Sequence, residues 1–200
     1  MTFGAVVVLG YLLGSCPWGY WLVRVFRGED VRRQGSGGIG ASNVFRLYGR
    51  RLGVPVVLLD VAKGFVPALV GTLAVSPLCG ILAGAAAMLG HWRPLFLGLQ
   101  RGGKMVATAG GAFMGIAPLV GAAAALVWIV AFALTRYTSV ASIAAAISLP
   151  VWAAVFGYPL AVIVFAASAS VLVVALHYAN LRRLWAGTEN RFRLRRAAHS

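Results

Sequence analysis

The chain has 200 residues, 60% of them hydrophobic and only 11% charged, with a mean hydropathy of +0.86. A water-facing surface needs more charge than this, so an ordinary soluble domain is excluded and a polytopic membrane protein is expected. The net charge of +14 sets 18 Lys and Arg against only Glu29, Asp30, Asp60 and Glu189; because the cations sit between apolar runs, they read as positive-inside loops and not as a nucleic-acid surface.

The first apolar run, Phe3 to Val23, can span a hydrocarbon core of about 30 Å and ends at Arg24 and Arg27. Met1-Thr2-Phe3 lacks the basic start of a signal peptide, so the run is expected to stay as a helix. Gly14, Ser15, Pro17 and Gly19 predict a kink or close packing within it. A basic loop over 24–51 follows. The apolar region 52–97 has room for two spans, with a turn near Val75-Ser76-Pro77. Gln100-Arg101-Gly102-Gly103-Lys104 is a second basic break. Residues 105–134 are long for one span and short for two, and 138–176 leads to a basic tail from Arg182 to Arg196.

Basic clusters belong on the cytoplasmic side, so an even number of crossings separates each consecutive pair. Two crossings in each of 52–97, 105–134 and 138–176, plus the first helix, predict an all-α membrane protein. It has seven transmembrane helices in a single domain over 1–200, the N-terminus outside and the C-terminus cytoplasmic. The expected outer turns, near Ser76-Pro77, Ala117-Pro118 and Gly157-Tyr158-Pro159, contain no charge.

Three loops on the expected cytoplasmic face, about 24–51, 98–104 and 177–200, carry the candidate chemistry. In the first, Gly35, Gly37, Gly38 and Gly40 free the backbone to aim N–H groups at one point and bind phosphate. Ser36, Ser42 and Asn43 add side-chain donors, and Arg46 adds a guanidinium fork. Gly35, Gly37 and Gly40, with Asp60 downstream, match a dinucleotide fingerprint in letters; no strand precedes them and Asp60 falls in a membrane helix, so that reading is set aside. In the second, Gly102 and Gly103 offer flexible backbone and Lys104 an ammonium at the start of an apolar helix, where the helix dipole favours an anion. In the third, His177 and Asn180 share a helical face. Glu189, the only acid of the tail, reads as a structural ion-pair partner.

Ser139 and Ser142, beside Arg136, read as donors to the site or as helix-end caps. Asp60 and Lys63, at i, i+3 in an apolar region, read as a buried ion pair or as support for the catalytic loops. His91 and Arg93 reach the interface or line the site, and Cys16 and Cys79 read as packing. Neither a metal-ligand cluster nor a carboxylate pair spaced for acid–base work is present, so no metal and no cofactor is expected.

These clusters, in this order, resemble the PlsY-type glycerol-3-phosphate acyltransferases of bacterial inner membranes. The resemblance runs through Gly35 to Arg46, then Asp60-Val61-Ala62-Lys63-Gly64, Gly90-His91 and Pro94. It continues through Gly102-Gly103-Lys104 with Val106-Ala107-Thr108, and ends with His177, Asn180, Arg183-Leu184 and Gly187-Thr188-Glu189. It implies seven membrane helices with an active site facing the cytoplasm. It also implies transfer of an acyl chain from acyl phosphate to the 1-hydroxyl of glycerol 3-phosphate, giving lysophosphatidic acid and phosphate in phospholipid synthesis. The implied partners are those two substrates, membrane lipid and the soluble enzyme that supplies acyl phosphate. On the resemblance, Ser36, Arg46, Lys104, His177 and Asn180 serve activity, the second loop holds glycerol 3-phosphate, and Glu189 serves structural integrity. The chain departs from the family pattern at Gly38 (usually Asn), Ser42 (usually Thr) and Met105 (usually Gly). The alternative is a transporter for a phosphorylated small anion, against which stand the charge-free outer turns.

Overall fold

The computed structural model describes residues 2–192, so the end of the basic tail, including His199, lies outside the described residues. All regular structure within them is helical. In hydrocarbon no water satisfies a backbone N–H or C=O, and a helix meets that demand within its own segment.

The first apolar run forms two helices, α1 (Phe3–Gly14) and α2 (Trp18–Arg27). They are interrupted at Ser15-Cys16-Pro17 because proline lacks an N–H and crowds the preceding turn. The helix continues past Val23, where the apolar run ends, and stops at Gly28, which takes the left-handed φ of 70°. Arg24 and Arg27 sit in the last turn, where the helix dipole favours cations. The short α3 (Ala41–Tyr48) follows the glycine-rich loop and leads into α4 (Arg50–Ala74). Val23, Val31, Ile39, Val44, Leu52 and Val56 form a small apolar core beneath that loop.

The remaining helices break at the expected turns. Ser76 caps α5 (Pro77–Trp92), its hydroxyl accepting the Cys79 N–H at 3.2 Å, with Pro77 in the first turn. Ala117 separates α6 (Val106–Ile116) from α7 (Pro118–Thr135), and 156–159 separate α8 (Thr138–Val155) from α9 (Leu160–Leu176). The chain then bends by 55° into α10 (Tyr178–Trp185). Four helical runs, Phe3–Arg27, Arg50–Ala74, Pro118–Thr135 and Thr138–Val155, are long and apolar enough to cross a membrane, and α9 with α10 makes a fifth if the bent pair is one span. At 1.5 Å per residue, the 11 residues of α6 rise only about 16 Å, half a bilayer core.

Helices in lipid gain little from hiding apolar surface, so they associate where small residues let backbones meet. The α4–α6 crossing shows this. A Cβ on Gly64 would lie 2.0 Å from the Thr108 carbonyl oxygen, and one on Gly111 2.0 Å from that of Val61. On the far side of α6, Phe113 stacks on Phe165 of α9 with ring centroids 4.9 Å apart. Gly111→Ala is therefore expected to lower the thermal midpoint of the purified protein in detergent. The neighbouring Gly110→Ala, whose Cβ would meet nothing within 4 Å, should leave it level or slightly raised. Equal effects at the two positions would contradict the close crossing.

Candidate active site

The first loop is held open by one amide. Asn43, buried in α3, accepts the Ser36 N–H at 3.0 Å and donates to the carbonyls of Gln34 at 3.2 Å and Gly38 at 2.9 Å. Its bonding capacity is thereby spent on the loop, so the expectation that it donates to a ligand gives way to a scaffold role. Gly35 and Gly37 take left-handed φ of 59° and 71°, and the Gly37 N–H bonds Gln34. Both glycines shape the chain, and the N–H of Gly37 is spent on the turn. The N–H groups of Gly38, Ile39, Gly40, Ala41 and Ser42 have no partner among the described residues and gather at the start of α3. Ser36 and Ser42 are exposed there. An anion would be met by these free donors and by the positive end of the helix.

The second loop uses its glycines differently. The Gly102 and Gly103 N–H groups donate to the carbonyls of Trp92 at 2.8 Å and His91 at 3.0 Å, so neither remains for phosphate, as the sequence had suggested. What requires glycine is space, since a Cβ on Gly102 would fall 2.2 Å from the His91 oxygen. Met105, where the family pattern has glycine, has a left-handed φ of 67° and no solvent exposure. Such a backbone costs a side-chain-bearing residue about 1–2 kcal/mol, which complete burial of a methionine, worth about 1.5–3 kcal/mol, offsets.

The third cluster is organised by Glu189. Its carboxylate accepts Ser139 Oγ at 2.9 Å and Asn180 Nδ2 at 2.7 Å on one oxygen, and Arg183 Nε at 2.7 Å on the other. Asn180 in turn accepts a hydrogen bond from Lys104 Nζ. The structure brings Glu189, Asn180 and Lys104, from separate loops of the sequence, into one hydrogen-bonded assembly, whereas Ser142 stays out of it. The Ser142 hydroxyl donates to the Thr138 carbonyl at 2.7 Å and accepts Trp128 Nε1 at 3.2 Å, so Ser139 joins the cluster instead. Arg183 is the residue that residue-level reasoning missed, although it lies one further step along the His177–Asn180 face.

Arg46 and Lys104 are close enough to repel each other, and both interact with Arg183 and Glu189. Burial pushes the Lys104 ammonium down to about 8; Glu189 opposes this, while Arg183, Arg101 and Arg46 add to it. Burial likewise lowers the Arg46 guanidinium, whose Nε is enclosed without a partner. Three cations facing one carboxylate leave a net positive, partly dry surface suited to an anion. His177 hydrogen-bonds the Val173 carbonyl through Nδ1 at 2.8 Å. A carbonyl only accepts, so that nitrogen carries the proton and Nε2 keeps a free lone pair.

The intramembrane charges form a pair. Lys63 Nζ lies 2.9 Å from Asp60 Oδ1 and 2.9 Å from the Cys16 carbonyl oxygen at the α1–α2 break. His91 Nδ1 stands 3.6 Å from the same Asp60 oxygen. The two glycine loops are also linked, Arg32 donating to Gln100 Oε1 at 3.0 Å. No group of metal-ligating residues occurs among the described residues.

Fold and site together define a multi-pass, all-helical membrane protein that gathers cations and free N–H groups at helix ends to receive an anion. The sequence model of the family described as glycerol-3-phosphate acyltransferase matches residues 4–187, and the chain belongs to that family. Among its relatives is the glycerol-3-phosphate acyltransferase of Desulforudis audaxviator (strain MP104C), 43% identical over 191 residues, covering 96% of each chain. The fold is similar to the crystal structure of PlsY (YgiH), an integral membrane glycerol 3-phosphate acyltransferase, in its glycerol 3-phosphate form. That match has a TM-score of 0.91, 39% identity and 96% of both chains covered. The lysophosphatidic acid form gives 0.88 and 38%, with 96% and 95% covered.

Burial raises the Glu189 carboxyl, but the hydrogen bonds from Asn180, Arg183 and Ser139 outweigh it and the net shift is downward. A lowered carboxylate contributes stability above its ordinary value of 4.5, and that stability is lost as the pH falls through the folded value. Glu189→Gln should therefore lower the thermal midpoint at neutral pH and flatten part of the decline seen in acid. An unchanged midpoint would show that the cluster does not support the fold.

Proposed function

We propose that this enzyme transfers an acyl chain from acyl phosphate to the 1-hydroxyl of glycerol 3-phosphate, releasing lysophosphatidic acid and phosphate. The acyltransferase activity and the glycerol 3-phosphate substrate follow from the family; the donor, the residue roles and the setting are our reading. The observation that carries it is the convergence of Lys104, Arg46 and Arg183 around the Glu189–Asn180 bond, beside a loop with free N–H groups. Two anions must meet there, and this surface offsets their repulsion.

In the reading, Lys104, presented by the second loop, holds glycerol 3-phosphate, while Ser36, Ser42, Arg46 and the Gly38–Ser42 N–H groups hold the donor's phosphate. Asn180 orients Lys104. An acyl phosphate is a mixed anhydride and already activated, so the glycerol hydroxyl attacks the acyl carbon directly, the C–O bond to phosphate breaks, and the departing phosphate takes the hydroxyl proton. No acyl-enzyme is needed. Ser36 is exposed, and its one side-chain-mediated hydrogen bond among the described residues, from its N–H to Asn43 Oδ1, involves no base that would activate it as a nucleophile. The His177 Nε2 lone pair is a second acceptor within the site.

The setting we infer is a single domain of seven transmembrane helices in the bacterial inner membrane. Its N-terminus lies outside and its active site faces the cytoplasm, where a soluble enzyme delivers acyl phosphate. Support comes from the helix breaks at three charge-free turns and from the grouping of cations at the opposite ends. The short α5 and α6 cross within the bundle. Family membership removes the ground for a transporter.

Purified wild type is expected to make lysophosphatidic acid from acyl phosphate and not from acyl-CoA, and Lys104→Ala to lose most of that activity; product from acyl-CoA alone would sink the donor assignment. The pH dependence is a second test. A phosphate monoester is already a dianion above its second pKa of about 6, whereas Lys104 loses its charge above about 8. The KM for glycerol 3-phosphate should therefore stay level near neutrality and climb above about pH 8, by up to tenfold per unit. Lys104→Arg, permanently charged, should flatten that rise.

A further inference from the structure

We propose that His91 is a positioning residue for the reaction. Its imidazole is the floor on which Gly103 rests, and through it the buried Asp60–Lys63 pair sets the place of Lys104. The proposal rests on Lys104 holding glycerol 3-phosphate.

His91 lies in the last turn of α5 and is 3% exposed. A Cβ on Gly103 would fall 1.9 Å from His91 Nε2 and 2.5 Å from Cε1, so the Gly103 backbone lies directly against the tip of the ring. The Gly103 N–H is also tied to the carbonyl of His91 itself. The opposite ring nitrogen faces Asp60 at 3.6 Å, and Asp60 is held by Lys63, which is anchored on the Cys16 carbonyl. A line of contacts thus runs from the break in the first helix to the residue preceding Lys104. On the other side of Lys104, Met105 is fully buried. The ammonium stem is pinned at both neighbours.

The energetics favour this over a packing role alone. An ion pair taken out of water is costly and is often matched or bettered by apolar residues of similar volume, so it is weak evidence of stabilisation. A fixed polar bracket under a ligand-holding loop instead supplies placement, and a displacement of about 1 Å at such a loop can cost a reaction about a hundredfold.

The test compares wild type, His91→Asn, Gly103→Ala and the double variant. Asn keeps a polar atom near Nδ1, facing Asp60, but lacks the ring tip that touches Gly103. The expected KM for glycerol 3-phosphate rises about fivefold in His91→Asn and at least about tenfold in Gly103→Ala. In the double variant it is no worse than in Gly103→Ala, because the new Cβ enters the space the ring has left. The KM for acyl phosphate and the thermal midpoint of His91→Asn stay near wild type. A wild-type KM in His91→Asn, or a double variant equal to the product of the singles, overturns the proposal. If His91→Asn does not fold, His91→Gln takes its place, its flexible end moving aside, and an undiminished Gly103→Ala defect in that background overturns it equally. If wild type forms no product, the proposed reaction has failed, and binding of labelled glycerol 3-phosphate to the same proteins ranks them instead; absence of binding to wild type overturns both readings.

Discussion

Glu189 brings one negative charge to a surface where Arg46, Lys104 and Arg183 converge, and the arrangement of that surface depends on it. Without a carboxylate there, three cations would repel one another in partly dry surroundings, and the Asn180 Nδ2 would lose its acceptor. With it, Ser139 at the start of α8 and Asn180 and Arg183 on α10 are drawn to one point. Asn180 is then oriented with its oxygen toward Lys104. One acid is enough to order the cluster and too little to neutralise it. The surplus positive charge is what an anionic substrate meets.

A second, drier constraint acts inside the bundle. At the interruption before Pro17 the Cys16 carbonyl accepts the Trp18 N–H at 3.0 Å, and Lys63, paired with Asp60, donates to it as well. The helices around this point approach through glycine, at Gly14 and Gly90 between α1 and α5 and at Gly64 and Gly111 between α4 and α6. Close backbone approach packs the helices tightly, and the ion pair leaves neither of its buried charges without a partner.

The two glycine-rich loops look alike in composition and differ in physics. In the first, positive φ at Gly35 and Gly37 turns the chain around the Asn43 amide, and the free donors are those of the following residues. In the second, the glycine N–H groups are consumed by the end of α5, and the lack of a side chain is what matters. A glycine next to a cation does not by itself identify a phosphate cradle. Whether its N–H is free depends on what packs against it.

The sequence alone determined a membrane protein, the positions of its helix breaks and the three polar clusters, because hydropathy, proline and charge placement act locally. It also put Asp60 and Lys63 on one helical face, since i, i+3 spacing does so whatever surrounds them, and the structure shows them paired. Tertiary structure decided the rest. Ser139 rather than Ser142 faces Glu189, Asn43 spends its amide on its own loop, and Gly103 lies on His91, because each outcome depends on a neighbour supplied by a distant segment. Met105 shows the same division in one residue: its left-handed backbone is a local cost, and only the core that closes over its side chain makes that cost tolerable.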